Sequence, residues 1–464
     1  MKFQIRDSSH CPESGAQNPA RVDRRGFLKL TAAAAGAMGA GLLAAPARAD
    51  TSGYRALVAV FLYGGNDAFN MVVPRSNAEH AVYAASRQNL AVPQSTLLPI
   101  QPLTSDGAAY GLHPSMPGLR QLFAAGRAAI VANTGPLVEP ATKAAVLARG
   151  VAVPPQLFSH NDQQDQWQTL KGRAAVATGW AGRVADLLEA ELATQQLPMN
   201  ISIAGTVPFH AAAHAAPYVV GEQGVVEYIA LTDSVFGGAA RRRAFEALVR
   251  TRQPTIYGRA LNEVHERALL YADRAQAALT RTPAPTTTFP DDALGRQLAM
   301  VTRLIAVRGE LGMRRQIFLV GTGGFDTHDA QNESQPRLLA EVSGALAAFD
   351  TALSELGVAS QVTAFTMSDF GRTLTSNGDG TDHGWAGHQL VLGAAVRGGD
   401  IHGRMPRLEI DGPDDVGGGR IVPTIAVQQY AATLLRWFGL TEGQIDVAAP
   451  GLGAFGARDL GFMI

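Results

Sequence analysis

Three short apolar runs, each followed by an acid, most strongly constrain what this chain can fold into. The runs cover residues 56–63, 316–320 and 361–367, and the acids that follow them are Asp67, Asp326 and Asp369. Apolar runs of this length, bounded by glycines or other small residues, are typical of strands buried on both faces. Because ligands bind at the carboxyl ends of strands in open α/β sheets, the three acids are predicted to meet at one sheet edge.

Strand-like and helix-like segments alternate from Ala56 onward. Further strands are predicted at residues 127–133, 200–204 and 390–396, and helices at 113–126, 294–311 and 335–356. This alternation predicts an α/β fold with a largely parallel central sheet and helices on both faces. A long charged stretch near residues 233–282 predicts a helical section, which we interpret as an insertion or cap over the sheet.

The first 49 residues have the pattern of a twin-arginine export signal. Arg24-Arg25-Gly26-Phe27-Leu28-Lys29 precedes an apolar stretch rich in alanine and glycine, and Ala47-Arg48-Ala49 matches an A-x-A cleavage site. The pattern predicts a mature domain of residues 50–464 in the periplasm or outside the cell, with the twin-arginine machinery as its export partner. An uncleaved membrane anchor is the alternative. The apolar stretch is short for a spanning helix, so no stable membrane span is expected after cleavage.

Removal of residues 1–49 changes both the charge and the cysteine content. Residues 50–464 carry 32 basic and 37 acidic residues, a net charge of −5. This overall balance gives no electrostatic reason to bind nucleic acid or an anionic membrane. The only cysteine, Cys11, leaves with the signal, so any metal must be held by oxygen and nitrogen ligands.

Histidines near two of the acids indicate a metal site. In an extended segment Asp326 and His328 point the same way, so a carboxylate and an imidazole can share one cation. His383 and His388 lie in a glycine-rich loop after Asp369, where we expect contact with a metal or a substrate. Converging aspartates and histidines are the composition of a divalent-metal site, with zinc, manganese, magnesium and calcium as candidates.

Each of the remaining candidates also has a purely structural interpretation. Asp67 can cap a helix N-terminus, and Asp369 can pair with Arg372 to hold a loop. Ser159 and His160 precede a helix-like segment, where Ser159 can be an ordinary cap. The functional interpretation places Ser159 at a helix N-terminus that favours anions, as a nucleophile activated by a metal.

Five motifs around these residues resemble the DUF1501 family, which comprises exported bacterial proteins of unknown function and is related to the alkaline phosphatase and sulfatase superfamily. The motifs are Leu-Tyr-Gly-Gly-Asn-Asp67-Ala-Phe-Asn70, Ser159-His160-Asn-Asp162, Gly324-Phe-Asp326-Thr-His328, Ser368-Asp369-Phe-Gly-Arg372-Thr and Thr381-Asp382-His383-Gly-Trp. The resemblance covers nearly the whole mature chain. It implies an alkaline phosphatase/sulfatase-like α/β fold.

The resemblance also implies a role for each candidate residue. Those that fall on metal ligands are Asp67, Asp326, His328, Asp369 and His383, with His388 as a further metal or substrate contact. Ser159 falls on the nucleophile. In our leading hypothesis, His160, Arg372 or His388 steadies the substrate. The implied chemistry is in-line attack on a phosphate or sulfate ester, with two cations stabilising the attacking and leaving oxygens.

Three departures from the superfamily pattern leave other functions open. Phe370 stands where relatives usually place a histidine of the second metal site, and Asp326 and His328 are closer together than the corresponding ligands. No Cys/Ser-x-Pro-x-Arg motif occurs, so a formylglycine sulfatase is not expected. The leading hypothesis is an exported, metal-dependent hydrolase of a small phosphate or sulfate-type ester. The alternatives are a non-catalytic periplasmic binding or assembly protein, and a metal site that only stabilises the fold.

Overall fold

A mostly parallel sheet forms the centre of the fold in a computed structural model that describes residues 48–226, 228–232 and 234–464. Residues Arg48–Ile464 form one compact unit. The predicted export signal therefore lies outside the described residues, apart from Arg48 and Ala49. Within the described part of the chain, none of the helices combines the length and apolar character needed to cross a membrane.

Strands and helices alternate through this unit. The strands are β1 (Arg55–Leu62), β2 (Val72–Pro74), β3 (Leu98–Ile100), β4 (Tyr110–Leu112), β5 (Ala128–Gly135), β6 (Asn200–Ser202), β7 (Tyr218–Val219), β8 (Arg315–Thr322), β9 (Val362–Ser368), β10 (Arg372–Ser376), β11 (Thr381–His383), β12 (Gly387–Leu392), β13 (Ile401–His402) and β14 (Ile425–Ala426). The helices are α1 (Ala68–Met71), α2 (Asn77–Arg87), α3 (Pro117–Ala124), α4 (Lys143–Leu147), α5 (His160–Thr169), α6 (Trp180–Leu188), α7 (Gly238–Val249), α8 (Ile256–Arg281), α9 (Ala293–Ala306), α10 (Gln331–Glu355), α11 (Val427–Phe438) and α12 (Glu442–Ala448).

The central sheet has the strand order β13-β5-β12-β9-β1-β8-β6-β7 within the described residues, and β14 also pairs with β5. β1 is parallel to both β8 and β9, whereas β12 runs antiparallel between β5 and β9. The predicted strand at residues 390–396 was placed too late, because β12 ends at Leu392, before Gly393 with a φ of 145°. The predicted α/β class with a largely parallel sheet is confirmed.

Two apolar cores, one on each face of the sheet, explain why the central strands are continuously apolar. Ala56, Val58, Val60 and Leu62 of β1 belong to one core, together with residues of α3, α9 and α10. The alternate residues of β1, from Leu57 to Phe61, belong to the other core, with residues of α6, α11 and α12. Since successive side chains of a strand point to opposite faces, helices must cover both sides of this sheet.

The carboxyl ends of β1, β8 and β9 lie side by side. Leu62 is in register with Thr322 on one side and with Ser368 on the other. Each of the three strands is followed by one of the acids from the sequence analysis. The turn after β1 contains Gly64 with a φ of 113°, and a Cβ there would lie 2.4 Å from the backbone nitrogen of Asp326. Glycine at this position thus allows two of the strand-end loops to pack directly against each other.

Candidate metal centre

Asp326, His160, His328 and His383 come together at this edge of the sheet from separate elements. Asp326 and His328 lie in the loop after β8, His383 ends β11, and His160 is the first residue of α5. One ligand atom each from His160, Asp326 and His383 lie within 4.8 Å of one another. These residues form a group that could hold one metal ion.

The Asp326 carboxylate contacts all three imidazoles of this cluster. Its Oδ1 lies 3.1 Å from His328 Nε2 and 3.3 Å from His383 Nε2. Its Oδ2 lies 3.3 Å from His160 Nε2. In addition, His328 Nε2 and His383 Nε2 are 2.8 Å apart. The Nε2 atoms of all three imidazoles therefore face the same carboxylate.

The other ring nitrogens fix the orientation of two of these imidazoles. His383 Nδ1 lies 2.7 Å from the carbonyl oxygen of Phe158, which can only accept a hydrogen bond. His160 Nδ1 lies 2.7 Å from Oδ2 of Asp369. Protons on both Nδ1 atoms follow, and a neutral ring then has its lone pair on Nε2, directed at Asp326. A carboxylate or carbonyl behind a ligating histidine is the usual arrangement around bound metals.

His328 also has an acceptor behind its ring, at a longer distance than the other two imidazoles. Its Nδ1 lies 3.4 Å from Oδ1 of Asp382, and its imidazole is 43% exposed. Asp382 is itself held by Nδ2 of Asn377 at 3.2 Å. A proton on Nδ1 facing Asp382 leaves a third Nε2 lone pair directed at Asp326. The cluster then consists of three imidazole lone pairs around one carboxylate.

A cation between these acceptors would satisfy them together. Burial lowers the pKa of His383 below its usual value, which opposes a second proton on that ring. Burial alone would raise the pKa of Asp326, but the hydrogen bond and charge of Arg372, together with the charges of His328 and His160, outweigh it, and the pKa is lowered. Asp326 is therefore an anion at neutral pH. Three nitrogen donors and one carboxylate fit a divalent transition metal.

Asp369 is present at the site but faces the back of His160. It is fully buried, and its Oδ2 accepts hydrogen bonds from His160 and from Nε2 of Gln164 at 2.8 Å. Its Oδ1 accepts from the backbone N–H of Gly64 at 3.2 Å. With both oxygens bonded, Asp369 holds the His160 ring in place. Its predicted role as a direct metal ligand stays a prediction.

Arg372, predicted to steady a substrate, is fully buried. Its Nη1 donates to Asp326 Oδ1 at 2.7 Å, its Nε donates to the Thr381 hydroxyl at 3.1 Å, and Nη2 donates to the Thr381 carbonyl. Arg372 is also opposite His383 in the β10–β11 pair. The structure thus places Arg372 as a residue that positions Asp326. The sequence suggested a pair with Asp369, and the partner in the structure is Asp326.

Asp67 is the strand-end acid that the structure does not bring into the cluster. It caps α1, with Oδ1 accepting from the N–H groups of Phe69 and Asn70 at 3.2 and 3.3 Å. Its Oδ2 accepts from Gln331 and forms an ion pair with Arg87, whose side chain is fully buried. The capping interpretation of Asp67 describes this geometry, and a guanidinium balances its charge.

His388 is also directed elsewhere. It is 1% exposed, its Nδ1 accepts from the N–H of Asn133 at 3.1 Å, and its ring packs edge-on against Phe69. Burial lowers the pKa of His388 to about 3, so the ring is neutral. Its Nε2 has no hydrogen-bond partner among the described residues. A role for His388 in binding a metal or a substrate stays a prediction.

Ser159 lies directly before α5, beside His160. Its hydroxyl donates to Oδ2 of Asp162 at 2.7 Å and makes no capping bond to the helix backbone. The preceding Phe158 has a φ of 73°, a left-handed conformation that is strained for a residue with a side chain. This conformation accompanies the hydrogen bond between the Phe158 carbonyl and His383, so backbone strain and imidazole orientation are linked at the site.

Several residues of the site carried no recognisable signal in the sequence. Arg87 ends an ordinary amphipathic helix, and Gln164 lies within α5 like any polar helical residue. The carbonyl of Phe158 is a backbone group, which no side-chain pattern reveals. Asp162 and Asp382 were part of recognised motifs, and only the fold shows which atoms they contact.

Comparison with protein families supports the resemblance seen in the sequence. The family model described as "Protein of unknown function (DUF1501)" matches residues 54–445. A comparison of the sequence with curated proteins finds no match.

Some solved structures have a low similarity to this chain. The PsFucS1 sulfatase from Pseudoalteromonas sp. has 9% identity and a TM-score of 0.35, covering 89% of this chain and 73% of that one. The lipoteichoic acid synthase LtaP from Listeria monocytogenes has 8% identity and a TM-score of 0.32, with coverages of 85% and 76%. The phosphonate monoester hydrolase of Agrobacterium radiobacter has 10% identity and a TM-score of 0.29, with coverages of 84% and 74%. Similarity this low carries no argument about the chemistry of this chain.

Proposed function

The chain belongs to the DUF1501 family, and we propose that it is an exported, metal-dependent hydrolase of a phosphate or sulfate-type ester. The observation that carries the proposal is the convergence of three imidazole Nε2 atoms on the Asp326 carboxylate. A divalent cation held there would act as a Lewis acid on an ester oxygen and lower the pKa of a bound hydroxyl.

His160, His328, His383 and Asp326 are the ligands in this proposal. Three nitrogen donors favour zinc over manganese, magnesium and calcium, which prefer oxygen ligands. Asp369 and Arg372 hold His160 and Asp326 in position through the hydrogen bonds described above. The sequence also assigned Asp67, Asp369 and His388 as ligands, and this proposal does not include them among the ligands.

Ser159 is the proposed nucleophile. Its hydroxyl donates to Asp162, so the carboxylate of Asp162 is placed to accept the proton when the oxygen attacks. Ser159 also lies at the N-terminus of the ten-residue helix α5, where free N–H groups and the helix dipole favour an anionic group. A small anionic ester bound there would present its reacting atom to Ser159 next to the cation.

A second candidate function, binding without turnover, is supported by two observations. Arg372 is fully buried and bonded to protein atoms, so it does not offer its charge to a substrate. The Ser159 hydroxyl bonds to Asp162 and makes no hydrogen bond to the cluster. In this case the metal would hold an anionic ligand or a partner's carboxylate, and no bond would be cleaved.

Hydrolysis of aryl phosphate monoesters, phosphate diesters and sulfate esters distinguishes the two candidates. Protein comprising residues 50–464 is stripped with a chelator, reloaded with zinc, manganese, magnesium or calcium, and assayed beside Ser159→Ala and His383→Ala. The matched control is Ser354→Ala, which removes an exposed hydroxyl on α10.

The hydrolase proposal predicts activity that is lost on chelation and restored by one metal. Ser159→Ala is then expected to lower kcat at least about 1,000-fold, because the nucleophile itself is removed. Ser354→Ala should match the unsubstituted protein. Metal binding without turnover on all three ester classes would favour the binding protein. If removal of the metal by a chelator unfolds the protein, and neither turnover nor ligand binding is found, the metal has only a structural role.

A further inference from the structure

The segment that contains α7 and α8 differs from the rest of the molecule in charge. Residues 226–281 contain nine arginines, no lysine and six acids, a net charge of +3. The remaining residues of 50–464 contain 23 basic and 31 acidic residues, a net charge of −8. We name residues 226–281 the arginine lobe. The overall charge of −5 therefore conceals one basic region on an acidic protein.

The arginine lobe also exposes most of the large apolar side chains found at the surface. Of the fourteen large hydrophobic residues that are exposed among the described residues, ten lie between residues 226 and 270. Phe236 is 98% exposed, Tyr257 85%, Ile229 76% and Ile256 68%. A concentration of exposed apolar side chains in one region marks an interaction surface.

The apolar residues of α8 form a stripe with no core beneath its first half. Tyr257, Leu261, Val264, Ala268 and Tyr271 are spaced as on one face of a helix. The first three are 85%, 57% and 53% exposed, whereas the buried residues of α8 in the described structure all lie near its C-terminal end, from residue 275 onward. The stripe leads into a cavity of about 600 Å³ lined by Val226, Val264 and Tyr271 among others. His265 of this half contacts Phe245 of α7, whereas Tyr257, Leu261 and Val264 are exposed.

Exposed arginines lie in the same segment as the exposed apolar residues. Arg243, Arg250, Arg252, Arg259 and Arg267 are exposed, and none of them forms an ion pair with a described acid. A guanidinium can donate two parallel hydrogen bonds to a phosphate group. Exposed apolar side chains beside unpaired arginines are the composition of helices that lie in the interface of an anionic bilayer.

We propose that the arginine lobe docks on a bilayer of anionic phospholipids, with the apolar residues of α7, α8 and the preceding loop in the headgroup layer. Charge complementarity selects this partner over the alternatives. A second copy of the chain would bring two positive lobes together, and a nucleic acid would match the arginines but leave Phe236 and Tyr257 in water. The inference does not depend on the metal centre or on its chemistry.

Sedimentation with vesicles tests this proposal directly. Protein comprising residues 50–464 is mixed with vesicles of phosphatidylcholine containing 30% phosphatidylglycerol, and with vesicles of phosphatidylcholine alone. We expect binding to the anionic vesicles that is at least about tenfold tighter and weakens with added salt. Equal binding to both vesicles, or no binding to either, would overturn the proposal.

Two sets of substitutions separate charge from apolar contact. The triple variant R243E/R250E/R252E should lose more than about 100-fold in affinity for anionic vesicles, and Y257S/L261S/V264S at least about tenfold. Arg173→Glu and Leu103→Ser change exposed residues outside the lobe and should bind like the unsubstituted protein. If both triple variants bind like the controls, the lobe is not the docking surface.

A fluorescence measurement covers the case in which a triple variant fails to fold. Phe236→Trp places an indole at a 98% exposed position with little change in shape. Its emission should shift to shorter wavelength on anionic vesicles and not with a DNA duplex of equal charge. An unchanged spectrum with vesicles, or a shift seen only with DNA, would overturn the proposal.

Discussion

Asp67 and Asp326 follow neighbouring parallel strands at the same edge of the sheet, yet their surroundings differ. Asp67 is 1% exposed, and a buried guanidinium from Arg87 balances its charge. Asp326 is 43% exposed on its side chain, and three imidazole Nε2 atoms face it in addition to Arg372. The closed region around Asp67 supplies its own cation. In the open region around Asp326, Arg372 pairs with Oδ1 of the carboxylate, and the three imidazole Nε2 atoms remain for an added cation.

This difference shows that a strand-end acid is not a metal ligand by position alone. Where protein donors occupy both carboxylate oxygens, as they do for Asp67, the acid caps a helix and pairs within the structure. Where imidazole Nε2 atoms also face the carboxylate, as they do for Asp326, the same type of residue joins a group that could hold a metal ion. The deciding feature is the set of side chains that loops and helices bring to each acid.

The largest effect should come from removing the internal cation of the closed region. Arg87→Ala leaves the buried Asp67 carboxylate without its counter-charge, and breaking a buried pair in this way costs about 3–5 kcal/mol. The free energy of unfolding in urea measures this loss. Arg337→Ala is the control, because Arg337 forms an exposed pair with Glu341, worth about 0.2–0.5 kcal/mol. Equal effects of the two substitutions would mean that the Asp67–Arg87 pair is not what holds the closed region together.

A smaller effect is expected from weakening the support of the open region. Asp369→Asn removes the negative charge behind His160 while nearly keeping the shape of the side chain. Loss of such a partner typically lowers metal affinity about 10- to 100-fold. Titration with zinc measures the change, with Asp350→Asn, which alters an ion pair to Arg127, as the control. An affinity unchanged by Asp369→Asn would show that Asp369 does not orient a ligand.

The smallest effect concerns a buried imidazole outside the cluster. Burial lowers the pKa of His388 to about 3, against about 6.5 for an unperturbed ring. Between these values the unfolded chain binds a proton that the folded chain does not, so the free energy of unfolding falls as the pH falls. From pH 7 to pH 5 the unsubstituted protein should lose about 2 kcal/mol more than His388→Gln. Parallel pH profiles would contradict the buried, neutral state of His388.

The sequence was sufficient to predict the fold class, because continuously apolar runs are typical of strands that are buried on both faces of a sheet. The register of β1 with β8 and β9 then follows from parallel pairing, and it brings the three strand ends together. The direction of β12 was not predictable in the same way. A buried strand is equally apolar whether it runs parallel or antiparallel, so its residues do not reveal its direction.

Residue types at the site were predictable, but their division into ligands and supports was not. Asp326, His328 and His383 were recognised because acids and imidazoles follow buried strands. Sequence spacing could not show that Arg87 reaches Asp67 from the end of α2, or that Asp369 faces the back of His160. Such contacts depend on tertiary packing between segments far apart in the chain.

Calorimetric titration of metal-free protein with zinc, carried out in parallel on Asp67→Asn and His383→Ala, tests the central claim most directly. We predict one bound equivalent of zinc in the unsubstituted protein and in Asp67→Asn. In His383→Ala the zinc affinity should be at least about 100-fold lower, because the proposed site includes His383 and does not include Asp67. Zinc binding that survives His383→Ala and disappears in Asp67→Asn would contradict the assignment of the metal centre to the open region around Asp326.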